Sequence, residues 1–434
     1  MAIWNQRYET MAREELQQVQ LERLQATVNR AYENVAFYKR LFDQLGIVPE
    51  DIKSLEDLAK LPFTTRQDLL DGYPYDMFAV PLRDVVRIQS TSGTATAPTV
   101  CGYTANDLHS WSELAARTLV SCGIDKDDVV QVYFGYGLFG AGFGFQYGAE
   151  RIGASIIPVS VASPERQIAV MRDFKITAII GTPSYALSVA ELLESAGVNP
   201  RALSLRVGLF GGEPWSDNVR SQVEAKLGIT AMDYYGLNEL VSPGVSWECE
   251  AKQGLHIAED HFIAEVIDPK TAKLVDAGCE GELVLTTLSK EALPLIRYRT
   301  CDLTSIDTSP CVCGRTLARM ARVHSRTDDM VIVQGISLFP SQIQAILTEI
   351  EGTEPHYRMV INRVGASDSL EIQVEVSDRI FVDTVGKLEQ FEKKISARIQ
   401  SALGISPRVR LVEPKTLEQV TGRRRSVVID NREL

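Results

Sequence analysis

The segment TAIIGTPSYALSVAELLESAGVNPRALSLRVGLFG, residues 177–211, reads as a strand, a helix and a second strand. Two short apolar runs, TAIIGTP and LRVGLFG, bracket a stretch with helical spacing, and strands joined through a helix should run parallel. The same alternation extends from Asp84 to about Gly236. It takes in VVRIQS, a helix opened by Thr104 with Asp107 as its capping box and closed at Gly123, then VVQVYF, ASIIPVS and, beyond residue 211, ITAMDYYG. These elements predict an α/β fold, a doubly wound and mostly parallel sheet covered on both faces, with ligands at the carboxyl ends of the strands. The Gly-rich turns sit at those ends.

Residues 1–83 form a mainly helical cap, from the apolar spacing in ELQQVQLERLQATVNRAYENV and the Pro-punctuated connector through Leu61-Pro62 and Tyr73-Pro74. Residues 84–325 form the core, with a β-rich subdomain from about residue 255 in LHIAEDHFIAEVID, GELVLTTL and PLIRYRTCDLTSI. Residues 326–434 form a small α+β domain: DMVIVQG, a helix from Pro340, strands HYRMVINRV and LEIQVEV, a helix near 385–403, and VRLVE.

The chain has 434 residues and 45% hydrophobic content, enough for several domains with full cores. A formal charge of −12 and a pI of about 5.1 argue against phosphate-backbone binding; the one basic run is Arg423 to Arg425. The polar start MAIWNQRYETMAREELQQ has no signal-peptide core, and no stretch reaches the roughly 18 apolar residues of a membrane span. A soluble, cytoplasmic protein is expected, and seven Cys, an odd number, fit a reducing compartment.

STSGTATAPT, Ser90 to Thr99, follows an apolar strand and offers backbone N–H groups and hydroxyls to phosphate oxygens. Such loops normally add a Lys or Arg, yet Ala97 stands at the candidate position. Between Phe134 and Tyr147, aromatic residues alternate with five Gly, which suits a flat, aromatic acid better than a long fatty acid. Cys249, His256, Cys311 and Cys313 form a Cys-x6-His and Cys-x-Cys-Gly set whose three thiolates and one imidazole suit a structural, tetrahedral Zn2+. Cys101, Cys122, Cys279 and Cys301 have no partner pattern.

Several segments together resemble the phenylacetate-CoA ligase branch of the adenylate-forming enzymes: YFGYGLFGAGFGFQYGAERIGASIIPVS, YYGLNELVSPGV, WECEAKQGLHIAEDHF, GELVLTTLSKEALPLIRYRTCDLT, CGRTLARMARVHSRTDDM and GISLFPSQIQ. The resemblance covers essentially the whole chain. It implies an AMP-forming ligase that activates an aryl or arylacetic acid with ATP and passes it to coenzyme A or to the phosphopantetheine of an acyl carrier protein. The chemistry needs a held phosphate chain, Mg2+, a cation on the developing charge and a dry site.

On that template Ser92, Gly93 and Thr94 occupy the phosphate loop, with Ala95, Thr96 and Ala97 in place of the usual Thr, Gly and Lys. Gly212, Glu213 and Pro214 flank the adenine. Tyr234, Tyr235 and Gly236 lead into Asn238, where the family has Ser or Thr, and Glu239, the Mg2+ ligand. Asp302 accepts from the ribose hydroxyls, beside Cys301 in place of a Gly. Arg326 is the domain-junction arginine, Asp328 the hinge about which the mobile C-terminal domain turns, and Gly335 lines the pantetheine tunnel. Tyr136, Phe139, Gly140, Ala141, Pro243 and Gly244 form the acid pocket, and Gln146 replaces a frequent His. Arg423, in VTGRRRSVVIDNR, stands where the family has a catalytic Lys, a planar fork in place of a point charge.

Two other readings stay open at this stage. An acyltransferase moving a pre-activated acyl group between coenzyme A and a carrier protein would explain Ala97 and Arg423. The other is a nucleotide-binding or partner-binding protein that retains Tyr235 and Asp302 without turnover. The partner is a small carboxylic acid, with no nucleic acid and no membrane, and a homodimer is left open.

Overall fold

The computed structural model describes residues 2–91, 98–138, 141–159, 164–328, 330–350, 352–364, 367–376, 385–413, 417 and 428–432. The N-terminal cap comprises α1 (Gln6–Glu9), α2 (Arg13–Asn34), α3 (Ala36–Leu45) and α4 (Arg66–Asp71). Next come β1 (Arg87–Ser90), β2 (Val100–Tyr103), α5 (Ala105–Ser121), β3 (Val129–Val132), α6 (Gly142–Ile152), β4 (Ser155–Ile157), α7 (Pro164–Asp173) and β5 (Ala178–Gly181). The core continues through α8 (Pro183–Ser195), β6 (Val207–Gly211), α9 (Asp217–Leu227), β7 (Thr230–Leu237), β8 (Val241–Glu248) and β9 (Leu255–Ile257).

These strands build a nine-stranded sheet that ends on β13 (Ile306–Asp307) and β14 (Arg319–Met320), in the order β13-β14-β9-β8-β7-β6-β5-β3-β4. From β4 to β7 every neighbouring pair is parallel. Side chains alternate across it: on β5, Ala178 and Ile180 join the core under α5 and α6, whereas Ile179 joins the core under α8 and α9. Burial on both faces is why these strands are continuous apolar runs.

The structure departs from the expected sheet in three places. Only RIQS of VVRIQS forms β1, which pairs antiparallel with β2 in its own two-stranded sheet, outside the parallel run. VSPGVSWE forms β8, wholly buried and antiparallel to both β7 and β9, so the large sheet is mixed. LHI forms β9 in that sheet, and the separate β-rich layer is limited to β10 (Phe262–Ile267), β11 (Gly281–Thr287) and β12 (Tyr298–Thr304), all antiparallel.

The last part of the chain has its own core. It contains the hairpin β15 (Val331–Val333) and β16 (Ile336–Leu338), then α10 (Pro340–Thr348), β17 (Thr353–Val364), β18 (Ser367–Val376), α11 (Val385–Leu403), β19 (Arg408–Val412) and β20 (Val428–Asp430). Among the described residues, no helix is long and apolar enough to cross a membrane.

Candidate active site

The carboxyl end of β5 meets the small domain, where Gly335 lies against Thr182. Strand alternation separates the two tyrosines of β7. Tyr234 is buried, edge-on to Phe145 with ring centroids 5.1 Å apart. Tyr235 points to the other face and donates its hydroxyl to Asp302 Oδ2 at 2.6 Å. Arg326 grips Asp302 Oδ1 and also holds Asp328, Nε to Oδ1 at 2.8 Å and Nη2 to Oδ2 at 2.9 Å. Burial raises the pKa of Asp302, and the Arg326 guanidinium works against that rise. Cys301, beside it, has φ +63°, the left-handed backbone that a Gly adopts without steric cost.

Beyond β7 the chain turns sharply into β8. Gly236 permits this turn, since a Cβ there would lie 2.6 Å from the Val241 carbonyl oxygen. The turn presents Glu239, 7% exposed, whose Oε1 accepts from Thr99 Oγ1 at 3.1 Å. Thr99 in turn shares a 2.8 Å hydroxyl contact with Thr91, and the Thr91 N–H donates to the Thr99 carbonyl at 3.0 Å. The stem of the phosphate-loop candidate is thus tied to the Glu239 carboxylate. Among the described residues, no Lys or Arg forms an ion pair with that carboxylate, whose oxygens are hard donors of the kind Mg2+ takes. Asn238 enters through its backbone, its carbonyl accepting from Tyr103 at 3.2 Å.

Glu213 follows β6 and Gly212, and its Oε1 accepts the backbone N–H of Ser184 at 2.6 Å, in the first turn of α8. Its other oxygen, Oε2, is buried without a partner among the described residues, and burial raises the pKa of the group. Pro214 lies partly exposed beside it. Gly335, in the β15–β16 turn at φ +76°, faces α8, where a Cβ would come within 3.1 Å of Thr182 Cγ2. The small domain also reaches the cap, with the Arg66 guanidinium 4.4 Å from the Phe339 ring centroid.

In the acid-pocket segment, Tyr136 packs edge-on to Phe143 at 5.3 Å, and its hydroxyl is buried without a partner among the described residues. Burial pushes that phenol up to about 12. Ala141 caps α6, while Pro243 receives Trp111 Nε1 on its carbonyl at 3.0 Å and Gly244 lies against Leu114 of α5. Gln146 turns along its own helix to Glu150, at 2.8 Å. Ser92, Gly93, Thr94, Ala95, Thr96, Ala97, Phe139, Gly140 and Arg423 lie outside the described residues.

Away from this cleft, Cys249, His256, Cys311 and Cys313 are all buried, with their ligand atoms within 4.8 Å of one another. Cys249 and Cys311 sulfurs are 3.8 Å apart, close to the about 3.8 Å edge of a tetrahedron with Zn–S bonds of ~2.3 Å. His256 Nδ1 donates to the Leu317 carbonyl at 3.3 Å and turns Nε2 to Cys313 Sγ, 3.3 Å away. That is the orientation a metal-bound imidazole requires. A fully buried ion pair, Arg315 Nε to Glu9 Oε2 at 2.6 Å, fastens the same loop to α1.

Sequence reasoning did not assign Thr99, Thr182, Ser184 or Lys290. Thr99 belonged to the Ser/Thr-rich run, and Thr-Pro-Ser at 182–184 is a helix-start signal at a strand end. Lys290 carried no signal beyond being a lone cation in an apolar stretch.

The AMP-binding enzyme family matches residues 52–288, and the AMP-binding enzyme C-terminal domain family matches residues 335–432. The phenylacetate-coenzyme A ligase of Escherichia coli (strain K12) is 45% identical over 96% of this chain and 95% of its own length. That of Aromatoleum evansii is 43% identical over 98% and 96%. The solved structure of 2-hydroxyisobutyryl-CoA ligase with 2-HIB-AMP and CoA in the thioesterification state superposes with a TM-score of 0.93 at 32% identity, covering 99% of this chain and 93% of that one. The same enzyme in its postadenylation state gives a TM-score of 0.72 at 31% identity over the same shares, so the domain arrangement here matches the former. The chain belongs to the AMP-binding, adenylate-forming enzymes, in their phenylacetate-CoA ligase branch.

Proposed function

We propose that this protein is an AMP-forming acid–thiol ligase that couples an aromatic carboxylic acid, phenylacetate or a close relative, to coenzyme A at the expense of ATP. The observation that carries the reading is the pair of buried carboxylates flanking the end of β7. Glu239 is tied to the stem of the phosphate loop, and Asp302 is held between Tyr235 and Arg326. One suits the metal and phosphate end of a nucleotide, the other its ribose diol.

In this mechanism the acid carboxylate attacks the α-phosphorus of ATP, the bond to the β-phosphate oxygen breaks, and pyrophosphate leaves. The coenzyme A thiolate then attacks the acyl carbon and AMP leaves. Glu239 would hold Mg2+, which when bound supplies neutralising charge for the phosphates. Asp302 orients the ribose, and Gly212, Glu213 and Pro214 border the adenine beside Tyr234. Tyr136, Ala141, Pro243 and Gly244 wall the ring of the acid. Arg326 and Asp328 form the pivot that exchanges the two faces of the small domain, and Gly335 leaves room for the pantetheine arm. Arg423 would bring a cation in the adenylating arrangement. The match to the thioester-forming arrangement of a CoA ligase favours coenzyme A over a carrier protein as acceptor.

A structural Zn2+ at Cys249, His256, Cys311 and Cys313 completes the reading, with four ligands and no open position. A cytoplasmic setting suits a chain with seven cysteines and no disulfide.

The deciding experiment is pyrophosphate release with MgATP across phenylacetate, benzoate and short aliphatic acids, with and without coenzyme A. Release that depends on an aromatic acid is the expected result. Its absence, together with acyl exchange between thiols, would transfer the protein to the acyltransferase reading.

A further inference from the structure

Lys290 is 6% exposed and, among the described residues, has no carboxylate within ion-pair distance. A buried ammonium without a counter-ion is costly and needs another set of acceptors. Here the acceptors are backbone. Nζ donates to the Glu239 carbonyl and to the Leu240 carbonyl, each at 2.7 Å, and the Tyr103 ring centroid lies 4.7 Å away. The Tyr103 hydroxyl takes the preceding carbonyl, that of Asn238. Three successive carbonyls of the β7–β8 turn, 238 to 240, are therefore held from one side, and the Glu239 side chain meets Thr99 on β2's leading segment.

Lys290 is itself fixed. Asp107 accepts the backbone N–H groups of Glu291, at 2.7 Å, and Ala292, at 3.0 Å, while Thr104 Oγ1 donates to Glu291 Oε2 at 2.8 Å. Asp107 and Thr104 are the capping box of α5, so the ammonium hangs from a rigid helix start. A continuous chain of contacts runs from α5 through residues 290–292 to the turn, and on to the stem of the phosphate loop.

We propose that Lys290 is a positioning residue for adenylation: it sets the β7–β8 turn so that the Glu239 carboxylate faces the metal and phosphates of ATP. The proposal rests on the reading of Glu239 as the Mg2+ ligand. Coordinating carboxylates lose affinity when their supports are removed, by about 10- to 100-fold in comparable cases. Adenylation should therefore depend on Lys290 and thioester formation should not.

The test measures pyrophosphate release against Mg2+ concentration, and separately thioester formation from synthetic phenylacetyl adenylate and coenzyme A. Lys290→Met should raise the half-saturating Mg2+ by roughly tenfold or more, with the thioester step changed far less. In a Glu239→Gln background, Lys290→Met should cost nothing further, because it acts through that carboxylate. Equal losses in both half-reactions, or full additivity with Glu239→Gln, would overturn the proposal. If Lys290→Met does not fold, Lys290→Gln, which keeps a donor for one carbonyl, carries the same test with a smaller expected shift. Glu239→Gln alone separates the two readings. No Mg2+ effect in that variant sinks the metal assignment and the proposal with it, whereas an effect there with none in either Lys290 variant sinks the proposal alone.

Discussion

The Tyr235 hydroxyl donates to Asp302 Oδ2 over 2.6 Å, joining β7 of the large sheet to β12 of the three-stranded sheet. The acceptor is 3% exposed, so the bond is made away from water and its loss leaves a buried carboxylate oxygen short of a donor. Such a loss typically costs about 1–3 kcal/mol. Tyr235→Phe should therefore lower thermal stability and, on the ribose reading of Asp302, weaken ATP binding by roughly tenfold for each 1.4 kcal/mol that reaches the ligand. Calorimetric titration with ATP checks this. Unchanged affinity in a destabilised protein would remove Asp302 from the nucleotide site.

Gly335 gives the cleanest separation of the two half-reactions. In the present domain arrangement the β15–β16 turn abuts Thr182, and any side chain at 335 would also have to adopt φ +76°. On the reading of Gly335 as lining the pantetheine tunnel, Gly335→Val should slow thioester formation by on the order of a hundredfold, because the turn would be displaced where the arm passes. Pyrophosphate release in the absence of coenzyme A should change much less if, as proposed, the small domain turns about Asp328 for that step. Parallel losses in both assays would show that Gly335 serves folding and not the tunnel.

Strands β5 and β6 were legible because burial on both faces turned them into unbroken apolar runs. Strand β8 was not, for Pro243 and Gly244 sit in its middle and local propensity argues against a strand; its pairing with β7 and β9 overrides that preference. The site was legible as residue types at motif positions and less so as contacts. Tyr235 and Asp302 are 67 residues apart, and no local pattern announces that they touch. Lys290, in LTTLSKEALPL, carries no local signal of burial, and its contacts are all distant in sequence: the Glu239 and Leu240 carbonyls, the Tyr103 ring, and Asp107, which holds the next two backbone N–H groups.

His261 should leave a signature in the pH dependence of stability. Burial pushes its pKa down from 6.5 to about 4, against the pull of Asp260 beside it, and the Ser289 hydroxyl lies 2.5 Å from Nδ1. The unfolded chain takes up this proton at higher pH than the folded one, so between pH 6.5 and about 4 the unfolded state binds more protons. Stability from this group is complete above 6.5, falls with pH through that window and loses no more below it. The full loss is of order 3 kcal/mol. Urea midpoints across the window should shift less in His261→Gln than in the parent, and identical slopes would refute the assignment.

The cysteine cluster makes the most direct prediction about composition. Its four donors come from the end of β8, from β9 and from the loop at 311–313, so an ion there would join segments about sixty residues apart, Cys249 and Cys311 being separated by 62. Purified protein should contain about one Zn2+ per chain, and a strong chelator should lower its melting temperature. Cys311→Ser should lose the metal and reproduce the chelator effect. Because none of the four donors bonds to Tyr235 or Asp302 among the described residues, ATP affinity in that variant at 25 °C should stay within about threefold of the parent, a difference under 1 kcal/mol. Substoichiometric zinc with no effect of chelator on melting would reject the site. A collapse of ATP affinity on metal loss would instead mean that the cluster supports the nucleotide cleft through β8, whose far end begins at the Glu239 turn.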